Sequence, residues 1–306
     1  MPISEVVERL ATKIEGAKAL DPGADALAAV VRRLVPEGAT RDTLSGLPLG
    51  HPLHPALVAV PIGAWASASW LDLTTGKSGR KASSRLVALG IMAAGPTALA
   101  GASDWLDTKG GERRVGFVHA VGNDVALGLY IASWIARRRG RHVRGTALAL
   151  AGAGMLGVSG WLGGHLAYAL GVGVDTTVFH TAPTDWTDVA VLDDLPEGRP
   201  TARPLGETPL LLLRRGSQVS AIGDRCSHRG GPLHEGEWAD GCITCPWHGS
   251  QFALDGSESD GAVRHGPATR PQERFETRIV GGHVEARRIS ADRSLRNNPV
   301  AVDALR

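Results

Sequence analysis

Residues 226–250 read CSHRGGPLHEGEWADGCITCPWHGS. The stretch contains two Cys-His pairs, Cys226-x-His228 and Cys245-x-x-His248, and glycine follows each pair within two residues. Thiolates and imidazoles are the ligands that soft and borderline metal ions prefer. Two such pairs, carried by two loops, therefore predict a metal site whose ligands are Cys226, His228, Cys245 and His248.

Two other chemistries could use parts of this stretch. A structural zinc site also takes two cysteines and two histidines, but Cys-x-His followed by Cys-Pro-x-His-Gly is not zinc-finger spacing. Cys242-x-x-Cys245 has the spacing of a thiol redox motif. A redox pair would need Cys245, which the metal site also needs. If Cys245 is a metal ligand, we expect Cys242 to be a buried strand residue.

Residues 186–288 resemble the Rieske family in the approach AIGDRCSHRGGPLHEG, the second box CPWHGSQF and the later Gly266-Pro267-Ala268. The resemblance implies one [2Fe–2S] cluster, with the two cysteines on one iron and the two histidines on the other. It implies no catalytic residue. The residues that it places around the cluster are Gly230, Gly249, Ser250 and Phe252.

Three positions depart from one branch of that family. In the Rieske proteins of cytochrome bc complexes, each ligand loop carries an extra cysteine, and the two form a disulfide. Those positions are Gly231 and Trp247 here. A tyrosine that hydrogen-bonds a cluster cysteine in the same proteins is replaced by Phe252. We therefore expect a ferredoxin-like site with a lower reduction potential than in quinol-oxidising relatives.

Short apolar runs surround the two boxes, for example at 210–213 and 219–222, and a Gly281-Gly282 turn separates the last two. Short strands with glycine-rich loops are typical of a small antiparallel domain. The pattern predicts an all-β sandwich or barrel over 186–288.

The preceding part of the chain has a different character. It contains four long runs with few or no charged residues, and all four come close to or exceed the roughly 20 residues that a membrane-spanning helix needs. The runs are 56–71, 86–103, 115–136 and 145–174. They predict an all-α bundle of four transmembrane helices. A soluble bundle of buried helices is the alternative.

This helical part also resembles a known family. The segment Gly50-His51-Pro52-Leu53-His54-Pro55 and the later Gly163-Gly164-His165-Leu166 are similar to a bacterial family of four-span membrane proteins of unknown function. The resemblance covers about 46–175. It implies a multi-pass protein of the bacterial cell membrane, in contact with lipid, and says little about activity.

The basic residues of the connections predict an orientation. Four spans place both termini and the cluster domain on one side of the membrane. The first and third connections carry nine basic residues, against three in the second. Because basic connections stay in the cytoplasm, we expect the termini and the cluster domain on the extracytoplasmic side.

Four histidines fall in or near these spans, and ionisable residues there are costly. Paired imidazoles from facing helices can ligate a haem iron, so haem b is one expectation. The alternative is that the histidines hydrogen-bond to Asp124, Asn123 or backbone groups, or lie among lipid headgroups. The candidate haem ligands are His51, His54, His119 and His165.

We expect five segments in the chain: an amphipathic helical segment 1–45, the membrane domain 46–175, a linker 176–185, the Rieske domain 186–288 and a disordered tail 289–306. The formal net charge of +2 gives no indication of nucleic-acid binding. Only eighteen residues follow Arg288, so we do not expect the catalytic domain of a self-contained oxygenase.

Together these features predict a membrane-anchored, ferredoxin-like carrier of single electrons, without a substrate site of its own. Its expected partner is a ferredoxin reductase, an oxygenase or a quinone-linked complex, and a haem in its own bundle is a further candidate. Three alternatives stay open: the ferredoxin component of a Rieske oxygenase, a quinol-linked respiratory component and a non-enzymatic redox or iron sensor.

Overall fold

The computed structural model describes residues 2–289. The chain divides into two compact units, Met1–Ser45 with Pro52–Gly173, and Gly46–His51 with Val174–Arg306. Of the predicted disordered tail, all but Ile289 lies outside the described residues.

The first unit is helical. Three short helices precede four long ones, and the long ones are long and apolar enough to cross a membrane. The helices are α1 (Ile3–Gly16), α2 (Asp21–Leu34), α3 (Ala39–Ser45), α4 (Leu53–Thr74), α5 (Arg80–Trp105), α6 (Gly110–Arg138) and α7 (His142–Tyr168). Together with the strands of the second unit, they confirm the predicted fold class.

Asp21-Pro22-Gly23, a motif that can separate two helices, lies at the start of α2. The chain breaks at residues 17–20, and α2 begins at Asp21. Proline lacks an N–H that the first helical turn does not use, so Pro22 is tolerated there. The motif starts a helix instead of separating two.

Exposed apolar side chains are frequent on the four long helices. Such a surface would be costly in water and is typical of helices that face lipid. Large exposed examples are Trp70, Leu73, Met92, Val143 and Val158.

The short helices pack on the end of the bundle where α5 ends and α6 begins. Ala24, Ala28 and Val31 of α2 form one buried cluster with Trp105. Arg114 donates to both carboxylate oxygens of Asp21, at 2.6 and 2.9 Å. Apolar contacts and ion pairs thus hold the N-terminal helices to the bundle.

The second unit is built from antiparallel strands in two sheets, with the orders β1-β10-β9-β4-β3-β2 and β5-β6-β7-β8. The first sheet contains β1 (Thr187–Val191), β2 (Thr201–Leu205), β3 (Thr208–Arg215), β4 (Gln218–Gly223), β9 (Arg274–Val280) and β10 (His283–Arg288). The second contains β5 (Glu237–Ala239), β6 (Cys242–Thr244), β7 (Gln251–Ala253) and β8 (Val263–His265).

One core cluster links the two sheets. It joins Leu211 and Ile222 of the first sheet to Ile243 and Phe252 of the second, and it includes Cys226 and Cys245. The loop between β4 and β5 carries Cys226, and the loop between β6 and β7 carries Cys245. The packing of the two sheets therefore determines how the two ligand loops meet.

Candidate metal centre

The first ligand loop is a turn closed by two backbone hydrogen bonds. The N–H of Cys226 donates to the carbonyl of Gly231 at 2.9 Å, and the N–H of Gly230 donates to the carbonyl of Cys226 at 2.7 Å. Gly230 has φ +73°, a conformation that residues with a Cβ rarely adopt. The spacing Cys-x-His-x-Gly thus places a glycine at the position of the turn that needs positive φ.

The second loop repeats the pattern. The N–H of Cys245 donates to the carbonyl of Ser250 at 2.8 Å, and the N–H of Gly249 donates to the carbonyl of Cys245 at 3.0 Å. Gly249 has φ +77°. Each loop therefore presents its cysteine from the same kind of turn.

The turns point backbone N–H groups at the sulfurs. The N–H groups of His228 and Arg229 donate to the sulfur of Cys226. Those of Trp247 and His248 donate to the sulfur of Cys245. Such donors stabilise negative charge on sulfur, as a metal-bound thiolate requires.

The two cysteine side chains are buried, each with 2% exposure, and they hydrogen-bond to each other. This hydrogen bond, together with burial, raises the pKa of the Cys226 thiol. The same hydrogen bond lowers the pKa of Cys245 to about 7. A metal bound by both sulfurs would require both as thiolates, so Cys226 would have to lose its proton.

The two imidazoles form a second pair. The rings of His228 and His248 lie 5.0 Å apart, centroid to centroid, and are perpendicular. Both side chains are half-buried, and the neighbouring Trp247 is 50% exposed. The histidine side of the site therefore lies nearer the surface of the domain than the sulfurs.

The site consists of a sulfur pair and an imidazole pair. Within residues 2–289, no three or more His, Cys, Asp or Glu side chains converge as the ligands of a single metal ion do. A [2Fe–2S] cluster with two cysteines on one iron and two histidines on the other needs this division into pairs. The donor set and the N–H groups around the sulfurs fit that cluster.

Two of the predicted surrounding residues have clear positions. Ser250 is fully buried, and its hydroxyl oxygen accepts a hydrogen bond from the N–H of Ala268 at 3.0 Å. Its own O–H remains able to donate. Phe252 is fully buried in the same core as the two cysteines.

A third loop, which the sequence pattern did not identify as part of the site, supports the first. Ser227 donates from its hydroxyl to the carbonyl of Arg270 at 2.7 Å. Gln272, in the amide orientation that satisfies both of its polar atoms, bridges the carbonyl of Arg225 at 3.0 Å and the N–H of Ser227 at 2.7 Å. The only sequence signal was the Gly266-Pro267-Ala268 motif.

A buried carboxylate holds the two ends of the first loop together. Asp224, 1% exposed, accepts hydrogen bonds from the N–H and the Nδ1–H of His234, each at 2.8 Å to one of its oxygens. Burial raises the pKa of Asp224, and the hydrogen bonds from His234 oppose this shift. Neither residue was predicted, because an Asp and a His ten positions apart form no motif.

The four histidines proposed as haem ligands have different surroundings. His51 is exposed, and His165 contacts Glu15 of α1 through Nε2 at 2.9 Å. His54 and His119 each hydrogen-bond a backbone carbonyl through Nδ1. Backbone carbonyls, and Asn123 for His119, are partners that the alternative to haem ligation predicts, whereas the contact of His165 with Glu15 is not.

Comparison with known proteins identifies the two parts of the chain separately. Residues 185–276 match the Rieske [2Fe-2S] domain, and residues 50–176 match the predicted membrane protein family DUF2231. A two-sheet domain with two Cys-His loops defines an iron–sulfur protein of the Rieske class. The chain belongs to the Rieske [2Fe-2S] family through its C-terminal part and to the predicted membrane protein family through its helical part.

Three relatives show how the match is distributed. The anthranilate 1,2-dioxygenase ferredoxin subunit of Burkholderia cepacia is 35% identical over 101 residues, which are 33% of this chain and 90% of that protein. The cytochrome b6-f complex iron-sulfur subunit of Chlorobaculum tepidum is 26% identical over 96 residues, 31% of this chain and 50% of that protein. A solved structure, the ferredoxin of carbazole 1,9a-dioxygenase from Nocardioides aromaticivorans, is 27% identical, with a TM-score of 0.32; the match covers 34% of this chain and 98% of that one.

The Rieske relatives include the ferredoxin component of an oxygenase and an iron-sulfur subunit of a cytochrome complex. The Rieske part of this chain is therefore an electron carrier with a [2Fe–2S] cluster.

Proposed function

We propose that this protein is a membrane-anchored, ferredoxin-like carrier that passes single electrons between its Rieske domain and a separate redox protein. The observation that carries the proposal is the pair of matched turns, which bury two sulfurs and leave two imidazoles half-buried beside them. A bound [2Fe–2S] cluster accepts and releases one electron at a time.

Cys226 and Cys245 would hold the inner iron of the cluster, and His228 and His248 would hold the outer iron. The four backbone N–H groups around the sulfurs offset the negative charge of the thiolates. The imidazoles, nearer the surface, are where an electron partner would approach. The exposed indole of Trp247, 6.3 Å from His248 between ring centroids, borders that approach.

Anaerobically purified protein tests the ligand assignment. We expect two irons and two acid-labile sulfides per chain, and His248→Cys should keep the iron but lower the potential, because a thiolate replaces a neutral ligand. Cys242→Ser is the matched control, since Cys242 lies outside the proposed site, and its iron and sulfide content should stay at the wild-type level. A protein that contains only zinc would contradict the assignment.

Membrane anchoring is supported by the four long apolar helices and by the family that residues 50–176 match. The Rieske domain would then work beside a membrane, on the side that holds both termini. The distribution of basic residues supports the extracytoplasmic side.

Labelling of single introduced cysteines tests this orientation. In intact cells, a cysteine at exposed position 240 in the Rieske domain should react with a membrane-impermeant maleimide. A matched cysteine at position 77, in the first connection, should react only after lysis. The opposite result would place the Rieske domain in the cytoplasm.

The ferredoxin-like assignment is supported by Gly231 and Trp247, which occupy the positions of the disulfide in Rieske proteins of cytochrome bc complexes. The ferredoxin relative also matches over 90% of its length. The second candidate function is electron delivery to a separate oxygenase. The third is a role in a quinone-linked complex, which the similarity to the cytochrome-complex subunit supports. The fourth candidate function is a redox or iron sensor. It would need a partner that responds to the oxidation state or the presence of the cluster without receiving its electrons.

One redox titration separates these roles. The full-length protein in detergent is titrated while the electron paramagnetic resonance of the cluster and the visible absorbance are followed. A potential near that of oxygenase ferredoxins supports the proposal, and a potential in the range of quinol-oxidising Rieske proteins would overturn it. Absorbance bands of a bis-imidazole haem in the same titration would identify an electron partner within the chain.

A further inference from the structure

The four long helices contain an internal repeat. The hairpin of α4 and α5 corresponds to the hairpin of α6 and α7, with an offset of 65 positions on the first helix and 62 on the second. The matched pairs on the first helices are His54/His119, Trp65/Tyr130 and Asp72/Arg137. Those on the second helices are Gly90/Gly152, Thr97/Ser159 and Gly101/Gly163.

The histidines make equivalent contacts in the two hairpins. Nδ1 of His54 lies 2.9 Å from the carbonyl oxygen of Thr97, and Nδ1 of His119 lies 2.7 Å from the carbonyl oxygen of Ser159. One turn further along the second helix, each ring lies against a glycine where a Cβ would come within 2.8 or 3.0 Å. Equal contacts at matched positions show that the repeat is structural.

The other matched pairs meet each other between the hairpins. The rings of Trp65 and Tyr130 stack at 4.0 Å with an interplanar angle of 6°. The stack lies about three helical turns from the two histidines along α4 and α6. Both rings are buried inside the bundle.

The charged pair forms a further layer. Arg137 donates to both carboxylate oxygens of Asp72, one of them at 2.8 Å, and the side chains are 1% and 4% exposed. The layers follow the same order along α4 and α6. Residues of one repeat thus meet their own counterparts, which places a pseudo-twofold axis between the hairpins, as in parallel repeats of membrane transporters.

The same symmetry brings the two histidines into one layer. Eleven residues are about three helical turns, so His54 and His119 lie on the same helix faces as Trp65 and Tyr130, which meet at the axis. We propose that they form one site at the pseudo-twofold axis, and that this site binds a first-row transition-metal centre through their two Nε2 atoms. The metal is either a haem iron or a non-haem ion, since both use this ligand chemistry.

The tautomers support a metal. A carbonyl oxygen only accepts hydrogen bonds, so each histidine donates from Nδ1, and each neutral ring then has its lone pair on Nε2. Histidines that bind metals use this arrangement, because a hydrogen bond from the second ring nitrogen fixes the orientation of the ring. Asn123 donates to Nε2 of His119 at 3.0 Å, which agrees with the assigned tautomer.

The other two histidines lie outside this symmetry. His165 corresponds to Ser103 in the first hairpin, and its Nε2 contacts Glu15. His51 corresponds to Gly116 and is exposed. Two of the four candidate ligands, His54 and His119, therefore remain, and the site that they form does not depend on the cluster.

Metal content and the pyridine haemochrome assay test the site on the full-length protein in detergent. The wild type should contain one metal or haem per chain beyond the two irons of the cluster. His54→Ala and His119→Ala should each reduce that extra metal at least tenfold, whereas His51→Ala should keep it. The haemochrome assay separates a haem iron from a non-haem ion.

Cluster resonance and acid-labile sulfide provide the check on folding, because they report the second unit independently. A wild-type protein without extra metal after incubation with haemin, Fe²⁺, Cu²⁺ and Zn²⁺ would overturn the proposal. Extra metal retained by both histidine variants would also overturn it.

Asn123→Ala is a second, independent variant. If Nε2 of His119 is a metal ligand, removal of the competing amide should leave the extra metal at the wild-type level or bind it more tightly. Loss of that metal from Asn123→Ala, with the cluster intact, would contradict the proposed role of Nε2.

Discussion

Gly231 of the first ligand loop lies directly against Cys245 of the second. A Cβ on Gly231 would come within 2.8 Å of the sulfur of Cys245 and within 3.1 Å of Cγ of Trp247. The positions of the missing disulfide are therefore neighbours in this protein, and the indole occupies the space beside the glycine. A side chain at position 231 would therefore meet both the Cys245 sulfur and the Trp247 indole.

The first prediction concerns this contact. Gly231→Ala should lower the iron and sulfide content of the purified protein at least severalfold, because the added methyl displaces either Cys245 or Trp247. Iron and acid-labile sulfide per chain measure the effect. Gly223→Ala is the matched control, since a Cβ there meets other atoms only at 3.6 Å or more. A fully loaded Gly231→Ala protein would show that the loops adjust.

The second prediction concerns the reduction potential. Phe252→Tyr should raise the potential, because a hydroxyl donating to a cluster cysteine stabilises the more negative, reduced state. A hydrogen bond to a charged group contributes about 1.5 kcal/mol or more, which corresponds to about 60 mV for one electron. Protein-film voltammetry measures the shift.

Phe252→Leu is the control for that measurement. It should lower stability by removing buried aromatic surface without raising the potential. A potential that falls or stays constant in Phe252→Tyr would contradict the role given to the missing hydroxyl.

The third prediction concerns the buried pair of the bundle. Asp72→Asn should lower the free energy of unfolding by about 3 kcal/mol, because it leaves the Arg137 charge buried without its counter-charge. Thermal unfolding in detergent, followed by far-ultraviolet circular dichroism, measures the loss. Exposed Arg138→Ala should cost less than about 0.5 kcal/mol. The exchange Asp72→Arg with Arg137→Asp should recover part of the stability, and no recovery would argue against a direct pair.

The fourth prediction concerns pH. The hydrogen bond from Arg114 holds the pKa of Asp21 below its ordinary value of 3.8. A carboxylate with a lowered pKa in the folded state contributes stability above pH 3.8 and loses it as the pH falls through the lowered value. Pepsin should therefore cleave the N-terminal helices faster as the pH falls below about 3.8.

Asp21→Asn should remove this part of the pH dependence and already be cleaved faster at pH 4. Asp25→Asn is the control. Asp25 also pairs with an arginine, Arg113, but its side chain is 71% exposed, so its loss should change the cleavage rate less. Equal cleavage of wild type and Asp21→Asn across this range would show that the ion pair does not hold the helices.

The sequence was informative where chemistry requires particular residues at short spacing. Two Cys-His boxes with following glycines predict a metal site, because each turn needs both the ligand and a residue that adopts positive φ. The long uncharged runs predict the four helices, because their length and composition are what lipid demands. Both features depend on residues that are close in sequence, so they can be recognised in one amino-acid sequence.

The features that could not be predicted are carried by distant residues. Asp224 and His234, or Ser227 and Arg270, become neighbours only after the sheets pack. The repeat is hard to recognise in the sequence because the two hairpins share few identical residues. They keep only a spacing: a histidine, an aromatic residue eleven positions later and a charged residue seven positions after that. The charges at the last position have opposite signs, which hid the match.

That difference in sign has a consequence for the ancestry of the membrane domain. Two identical copies of either hairpin, paired about a twofold axis, would bring two aspartates or two arginines together in a buried layer. The charges in that layer are neutralised only when one copy carries an aspartate and the other an arginine. If the domain arose from a symmetric dimer, the exchange of one charge would have made the two halves dependent on each other and favoured their permanent fusion in one chain.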